Sequence, residues 1–327
     1  MSERLRVGQA GLGYWGRNLA RNFDDLTDLN WLCDASEERR AEVAERYPDT
    51  KVTADFDELL AADDVDAVVI ATPVPTHYPL ARAALEAGKH VFVEKPPAMR
   101  VAEMEELIAL AEEHGLVLMP GHLLLYHPGV LKLKELIDTG ELGDVLCVYG
   151  NRVNLGIVRS NENALWSLGV HDLSVILWLL GEEPVEVSAM ASCLVDPAIG
   201  KAGDFDTLMV ILTTGSGRQC HINNCRDCAY GYDQRLEVFG AAGMLLNDNL
   251  RPTTLRRYLV EETEAREPLL NFFLERYADA YRIELEGFVE AVESGNPMPV
   301  TVADGRQALR LADAALESAV SGQRVHI

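Results

Sequence analysis

The segment Gly11-Leu12-Gly13-Tyr14-Trp15-Gly16 constrains the fold of this chain more than any other feature. It follows a stretch at residues 5–10 that predicts a strand, and it opens an amphipathic stretch at residues 14–23 that predicts a helix. Glycines at this spacing allow a tight turn and a close approach of the backbone to a phosphate, which the helix N-terminus then receives. The pattern therefore predicts a dinucleotide site, and the alternative is a glycine turn in some other α/β protein.

Asp34 follows the next predicted strand, where a carboxylate accepts hydrogen bonds from the adenosine ribose hydroxyls. Because it would also repel a 2′-phosphate, NAD is favoured over NADP, although Arg39 and Arg40 lie close enough in sequence to weaken that preference. Ligands of open α/β sheets lie outside the carboxyl ends of the strands, so the loop after the strand at residues 67–71 should also line the cofactor. The predicted cofactor-binding residues are Gly11, Gly13, Tyr14, Trp15, Gly16, Asp34, Ala71, Thr72, Pro73, His77, Glu94 and Lys95. For His77, an exposed position at a helix start is an equal alternative.

Two domains are expected from the length of 327 residues and from a change of texture after Pro120-Gly121. Residues 1–121 alternate short apolar runs with amphipathic stretches, which is typical of βαβ units and a parallel sheet covered on both faces. Residues 122–327 alternate at short intervals between turns and predict an α+β domain with a mostly antiparallel sheet. Strands are predicted at residues 5–10, 31–33, 67–71, 90–93, 117–119, 145–149, 185–193, 207–212, 219–222, 235–239 and 244–247, and helices at 14–23, 36–46, 79–87, 101–113, 129–138, 170–180, 281–293 and 303–318. A polar segment is predicted at residues 151–163.

Composition excludes several classes of function. The net charge of −23 argues against nucleic-acid binding, which requires clustered Lys and Arg. No apolar run reaches the roughly 18 residues of a membrane helix, and the N-terminus leads straight into a strand without room for a secretory signal, so the cytoplasm is the expected location. The six cysteines are expected to be reduced. Cys225 and Cys228, with Cys220 and His221 upstream, are too closely spaced for a usual zinc module, so no metal is predicted.

Glu94-Lys95-Pro96 ends another apolar run, and Lys95 is one of only six lysines. Oxidation of an alcohol needs a base that titrates near neutrality, which favours histidine, and a cation that holds the hydroxyl. Lys95 fits the second role, with Glu94 orienting it. His171, in a polar cluster before an apolar helix, fits the first role, and the two residues are expected to act on the same hydroxyl. The alternatives are a strand-end salt bridge for Lys95 and a structural helix-start histidine for His171.

These residues point to a family, because the chain resembles the Gfo/Idh/MocA oxidoreductases over nearly its whole length. The matching landmarks are the glycine segment, Ala71-Thr72-Pro73, Glu94-Lys95-Pro96 and Gly169-Val170-His171. The resemblance implies an N-terminal Rossmann domain with a doubly wound parallel sheet, a C-terminal α+β domain with a large open sheet, and a homodimer or homotetramer. It also implies a cis bond before Pro96, which would direct Lys95 at the substrate.

Two substrate classes remain open. Residues 230–240 and 273–277 look like those of inositol 2-dehydrogenases, in which Tyr232 is similar to a residue near the polyol. Residues 13–16, 121–128 and 154–156 look like those of relatives that act on nucleotide-linked sugars, for which Arg152 and Arg159 are candidate partners of a diphosphate. We expect a cyclic polyol or sugar, inositol-like first, with a nucleotide-sugar 3-dehydrogenase as the alternative. The predicted substrate-binding residues are Asp172, Ser167, Tyr232, Asn154 and Arg152; a solvated loop is the alternative for residues 152–163.

One departure from the family pattern concerns the histidine. The family usually carries an aspartate four residues before it, where this chain has Ser167. If that turn is helical, Ser167 and His171 share a face while Asp172 points about 100° away. Serine cannot support an imidazolium electrostatically, so either Asp172 substitutes through another geometry, or the substrate differs, or turnover is slow. A non-catalytic NAD-binding sensor is therefore a further alternative.

Overall fold

The structure, a computed structural model, describes residues 4–156, 163–201, 203–271, 273–296 and 302–327. Contacts divide the chain into two compact units. The first comprises Met1–Leu123 and Tyr281–Arg306, and the second comprises Leu124–Ala280 and Gln307–Ile327. The sequence-based division at residues 121 and 122 is continuous, whereas this one assigns a late helical segment to the first unit. None of the helices in the described ranges has the length and apolarity that a membrane span requires.

A parallel sheet of six strands forms the first unit. Its strands are β1 Arg6–Ala10, β2 Asp28–Cys33, β3 Lys51–Thr53, β4 Ala67–Ile70, β5 His90–Glu94 and β6 Leu118–Gly121. Its helices are α1 Gly16–Leu26, α2 Glu37–Arg46, α3 Phe56–Leu60, α4 His77–Glu86 and α5 Val101–His114. The strand order β3-β2-β1-β4-β5-β6 is that of a doubly wound dinucleotide-binding sheet, in which the ligand crevice lies where the order reverses, between β1 and β4.

Local sequence explains most of these elements. Every residue of β4 is buried, as expected for a parallel strand covered on both faces. Gly115 caps α5 in the left-handed conformation that favours glycine, with φ of 64°. The strand β3 was not predicted, because three residues that begin with an exposed lysine give no periodic signal.

The second unit contains a seven-stranded sheet in the order β12-β11-β7-β10-β9-β8-β15. Its strands are β7 Val145–Val153, β8 Pro184–Ser192, β9 Thr207–Thr214, β10 Gln219–Cys225, β11 Asp233–Gly240, β12 Gly243–Asn247 and β15 Val325–His326, and a small hairpin pairs β13 Arg256–Arg257 with β14 Ala265–Arg266. The remaining helices are α6 Pro128–Asp138, α7 Val170–Leu180, α8 Pro197–Lys201, α9 Phe273–Arg276, α10 Ala278–Ser294 and α11 Val302–Ser321. All pairs in the large sheet are antiparallel except β7 with β10, which confirms the mostly antiparallel prediction.

The polar segment predicted at residues 151–163 is wrong at its start. Residues 151–153 continue β7, which lies in the middle of the sheet and pairs with both β10 and β11. Buried Arg152 is therefore part of a central strand rather than of a solvated loop. The sequence misleads because a charged side chain inside a sheet is rare unless a partner satisfies it.

The two faces of the large sheet differ. The helix α7 packs on one face, where a Cβ added at Gly150 would lie 3.8 Å from Cβ of Asp172. The other face carries apolar side chains that remain exposed in this chain. We call this surface the open apolar face; its residues are Tyr149, Met190, Met209, Ile211, Met244 and Leu246.

Candidate active site

Two glycines of the first unit occupy positions that no side chain could share. Gly11 has φ of 95°, and a Cβ there would lie 2.5 Å from the carbonyl carbon and oxygen of Ala71. A Cβ at Gly16 would lie 2.0 Å from the carbonyl oxygen of Gly11. At Gly13, by contrast, the nearest atom is a guanidinium nitrogen of Arg39 at 3.9 Å, so the backbone is open on that side. This closed-and-open pattern fits a turn that lets a phosphate approach the backbone.

Gln9, which was not predicted as a site residue, stabilises the glycine turn. Its side-chain amide donates to the carbonyl of Gly11 at 2.9 Å and to that of Gly16 at 2.7 Å. The side chain is fully buried, so these bonds satisfy its donor group and tie the end of β1 to the start of α1. A glutamine between Gly8 and Ala10, where a covered parallel strand is expected to be apolar, was the available signal.

Asp34 is buried at the end of β2, with each carboxylate oxygen engaged. One oxygen accepts from the backbone N–H of Leu12 at 2.7 Å, and the other accepts from that of Ser36 at 2.8 Å. Arg39 places a guanidinium nitrogen 3.5 Å from the same carboxylate. Arg40 instead donates to the backbone carbonyls of Asp34 and Ala35. Of the two arginines, Arg39 therefore offsets the charge of Asp34.

His77 links two loops at the carboxyl end of the sheet. Its Nε2 lies 2.7 Å from the carbonyl oxygen of Thr72, and its Nδ1 lies 2.9 Å from that of Pro96. The residue is buried, so the exposed alternative is wrong. The ring ties the Ala71-Thr72-Pro73 loop to the segment that follows Lys95. The peptide bond between Lys95 and Pro96 is cis, as the resemblance implied.

The two aromatic residues of the glycine turn point in different directions. Tyr14 is 62% exposed. Trp15 donates from its indole N–H to the Glu94 carboxylate at 2.6 Å, and its ring lies 4.3 Å from that of Tyr281. Trp15 therefore fixes Glu94 at the end of β5. The next residue, Lys95, is half-buried.

His171 stands at the start of α7, where the sequence departed from the family pattern. The preceding turn, Leu165–Gly169, is π-helical, and the Val170 N–H bonds the Leu165 carbonyl five residues back. The turn that carries Ser167 is therefore helical, but it is wound more widely than an α-helical turn. Such π-helical turns are found frequently at functional sites. The side chains of Ser167 and His171 are both half-buried.

Asp172 is buried in the second unit and saturated by hydrogen bonds. Arg152 donates to its two oxygens, at 2.9 Å each, and the amide of Asn224 donates at 3.0 Å. Burial alone would lower the pKa of Arg152, but the Asp172 carboxylate raises it, so the net change is upward. Asp172 and Arg152 were predicted to contact the substrate, and in the structure they satisfy each other instead. Asn224 was missed, because its partner is distant in sequence.

The pairing of Asp172 with Arg152 bears on two ideas raised by the sequence. Both oxygens of the Asp172 carboxylate already accept hydrogen bonds from Arg152, so its charge is balanced by a buried cation. Arg152 is buried with a carboxylate partner and does not offer a cation to a diphosphate. The other candidate diphosphate partner, Arg159, lies outside the described residues.

Tyrosine and amide side chains extend this polar network. With its amide oxygen toward Arg152, Gln234 accepts from that guanidinium and donates to the hydroxyl of Tyr277. Tyr232 packs edge-on against Tyr277, at 6.4 Å between ring centroids, and both are buried. Burial and Tyr232 raise the pKa of Tyr277 well above its ordinary range. The side-chain oxygen of Asn154 accepts from the Leu155 N–H at 2.8 Å.

A small cavity adjoins the network within the second unit. Its volume is about 20 Å³, which suits one ordered water rather than a substrate. Its polar lining includes His127, Asp172, Gln234, Arg276 and Tyr277. In the described ranges, no three His, Cys, Asp or Glu side chains are grouped to hold a metal ion.

Comparison with known proteins places these features in a family. Residues 5–122 match the sequence model of an oxidoreductase family with an NAD-binding Rossmann fold, and residues 134–327 match the C-terminal α/β domain of the same family. The chain is 37% identical to the myo-inositol 2-dehydrogenase of Thermotoga maritima over 322 residues, which are 96% of each protein.

Solved structures agree with this assignment. A myo-inositol dehydrogenase from Corynebacterium glutamicum superposes with a TM-score of 0.92 at 31% identity, covering 99% of both chains. GenD2 from gentamicin A biosynthesis, solved in complex with NAD, superposes with a TM-score of 0.88 at 28% identity, covering 100% of this chain and 97% of that one. The chain therefore belongs to the Gfo/Idh/MocA family of oxidoreductases.

Proposed function

We propose that this enzyme oxidises a secondary hydroxyl of an inositol-class cyclic polyol to a ketone, with NAD⁺ as the electron acceptor. The observation that carries the proposal is the glycine turn, closed at Gly11 and Gly16 and open at Gly13, in the same unit as Lys95. The substrate class is supported by two inositol dehydrogenases to which the chain is similar over nearly its full length.

NAD⁺, when bound, supplies the acceptor for the hydride that leaves the carbinol carbon. Lys95 donates a hydrogen bond to the substrate hydroxyl and stabilises the negative charge that develops on its oxygen. His171 takes the hydroxyl proton on a ring nitrogen. The C–H and O–H bonds break, a C=O bond forms, and NADH and a proton are the other products.

The remaining polar residues have supporting roles in this proposal. Ser167, Tyr232 and Asn154 hold neighbouring hydroxyls of the ring. Asp172 and Arg152 anchor the helix that carries His171, because both side chains are buried and paired with each other.

The preferred cofactor in this proposal is NAD rather than NADP. The Asp34 carboxylate is fixed by two backbone N–H groups, which keeps a negative charge where a 2′-phosphate would have to lie. Arg39, 3.5 Å from this carboxylate, weakens the preference without removing it. The similar GenD2 was solved with NAD.

We further propose that two copies of the chain pair through the open apolar face, in a homodimer or within a homotetramer. Met190 on β8 is 75% exposed, and it pairs with Met209 on β9. Exposed apolar patches of this kind on a soluble protein mark interaction sites. A second copy offers the same patch, so a symmetric contact would cover both at once.

A panel of alcohols tests the proposed reaction. The purified enzyme is mixed with NAD⁺ and, separately, with inositol isomers, free hexoses and UDP-linked sugars, and NADH is measured by its absorbance. We expect reduction with at least one inositol isomer and no competition by free UDP. If the protein binds NADH but no alcohol of the panel reduces NAD⁺, the proposal is contradicted and a sensor is favoured.

A further inference from the structure

A buried carboxyl group lies in the part of α10 that belongs to the first unit. Glu284 is fully buried, and among the described residues neither of its oxygens meets a hydrogen-bond donor. One turn before it, Tyr281 contacts the ring of Trp15 at 4.3 Å. One turn after it, Phe288 contacts the ring of Phe92 at 5.7 Å. Glu284 therefore faces the region between the glycine turn and β5.

The strand β5 brings a second carboxyl group to this region. Residues two apart on a strand point to the same side, so Glu94 lies on the side of Phe92, which faces α10. Glu94 accepts from the Trp15 indole at 2.6 Å, and Trp15 packs on Tyr281. The Glu94 carboxylate is thus held next to the helical segment that carries Glu284.

Two carboxyl groups so placed cannot both be ionised at low cost. Burial, and then the charge of Glu94, raise the pKa of Glu284 well above its ordinary value of 4.5. Trp15 brings no titratable group from the glycine turn, and Tyr281 is a further titratable side chain on the same helix. In the neutral form Glu284 has one O–H donor, and Glu94 is the charged acceptor on the side that it faces.

We propose that Glu284 is a positioning residue, which keeps a proton at neutral pH and shares it with Glu94 in a carboxylic acid–carboxylate pair. Glu94 would then be held from two sides, by the Trp15 indole and by the Glu284 hydroxyl. Because Lys95 follows Glu94 directly, the pair fixes the strand end from which Lys95 projects. The expected effect on catalysis rests on the function proposed above for Lys95. The sharing of a proton between Glu284 and Glu94 is independent of that function.

The shared proton is tested by thermal unfolding at several pH values, without substrate or cofactor. A group whose pKa is raised on folding stabilises the protein below its unfolded-state pKa, and this contribution is lost as the pH rises toward the folded-state value. The variant Glu284→Gln is neutral at every pH and keeps a donor. Its unfolding temperature should therefore rise relative to wild type as the pH increases from about 4.5 to 9.

Phe288→Leu is the matched control, because it changes packing on the same helix face without changing a titratable group. It should lower the unfolding temperature by an amount that does not vary with pH. A constant difference between Glu284→Gln and wild type over this range would overturn the proposal, even if the enzyme proves to be an active dehydrogenase.

The effect on Lys95 is tested by kinetics at pH 7. Glu284→Gln should keep kcat close to wild type, because an amide N–H replaces the O–H that Glu94 accepts. In Glu284→Leu the leucine side chain is similar in size but has no hydrogen-bond donor for Glu94. Lys95 should then be misplaced, and kcat should fall roughly tenfold or more. Equal kcat for the two variants would overturn the positioning role. If the leucine variant does not fold, the unfolding series with Glu284→Gln decides the proposal.

Discussion

Arg152 on β7 donates two hydrogen bonds to the Asp172 carboxylate on α7, each at 2.9 Å, and both side chains are buried. Asn224 on β10 donates a third at 3.0 Å. The pair therefore fixes the start of α7 to two central strands of the sheet. His171 is the residue immediately before Asp172, so the same bonds set the position of the proposed base.

Removal of the charge on Asp172 should destabilise the protein strongly. Asp172→Asn leaves the Arg152 guanidinium buried without its carboxylate, which costs about 3–5 kcal/mol in comparable buried pairs. The free energy of unfolding in urea measures this loss. Glu135→Gln is the control, because its ion pair with Lys132 is exposed and should change stability by less than about 0.5 kcal/mol. Equal effects of the two substitutions would contradict the assigned role of the buried pair.

The imidazole of His127 should make the protein sensitive to acid. Its Nδ1 accepts from the Gly129 N–H at 3.1 Å and caps α6. Burial, and then the nearby Arg276, lower its pKa from 6.5 to about 4. A pKa that is lowered on folding contributes stability above pH 6.5, and this contribution is lost as the pH falls toward 4.

His127→Asn keeps an acceptor for the cap but cannot take up the proton. Between pH 7 and pH 4.5, its unfolding temperature should therefore fall less than that of wild type. In free energy of unfolding, wild type should lose on the order of 2 kcal/mol more than the variant, or less, because the imidazole ring is only partly buried. His114→Asn, on the surface of α5, should behave as wild type does. A parallel fall for His127→Asn and wild type would refute this explanation.

Cofactor preference should respond in opposite directions to two substitutions. Asp34→Ser removes the charge that opposes a 2′-phosphate, so the ratio of kcat/KM for NAD to that for NADP should fall roughly tenfold. Arg39→Ala removes the cation 3.5 Å from that carboxylate, so the same ratio should rise. Glu38→Gln, exposed on α2, should leave the ratio unchanged. If neither Asp34→Ser nor Arg39→Ala alters this ratio, the adenosine ribose of the cofactor does not bind at Asp34.

A charge on the open apolar face should separate the subunits. Met209→Glu puts a carboxylate on the middle of this face, where a partner surface would have to bury it. Light scattering after size exclusion should give a dimer or larger for wild type and a monomer for the variant. Val320→Glu on α11 is the control, since Val320 is 73% exposed and lies outside the open apolar face. A monomeric wild type would exclude the proposed assembly.

Much of the first unit could be predicted because its determinants are local. Gly11 directly follows β1, Gly16 begins α1, and Asp34 directly follows β2. The fully apolar run in β4 identifies a parallel strand without knowledge of its neighbours. The seven-stranded sheet was also predictable in its type, since alternation and turns recur at short intervals, although β7 and β10 run further than their apolar residues indicated.

The polar interior could not be predicted in the same way. Arg152 and Asp172 are 20 residues apart, and Asn224 is a further 52 residues away, so no local pattern joins them. The π-helical turn before His171 depends on packing rather than on a sequence signal. The surroundings of Glu284 likewise come from residues far away in the sequence, since Tyr281 and Phe288 on its own helix contact Trp15 and Phe92. The sequence therefore carries little information about the groups that hold these side chains in place.

Transfer of a labelled hydride tests the central proposal most directly. An inositol isomer that carries deuterium on its carbinol carbons is mixed with NAD⁺ and the enzyme, and the reduced cofactor is analysed by mass spectrometry. We predict NADH that is heavier by one deuterium with wild type and with Lys132→Ala, whose exposed lysine pairs with Glu135. Lys95→Ala should give almost no labelled NADH while still binding NADH in a fluorescence titration. Unlabelled NADH from wild type, or undiminished labelling with Lys95→Ala, would contradict the proposed reaction or the role of Lys95 in it.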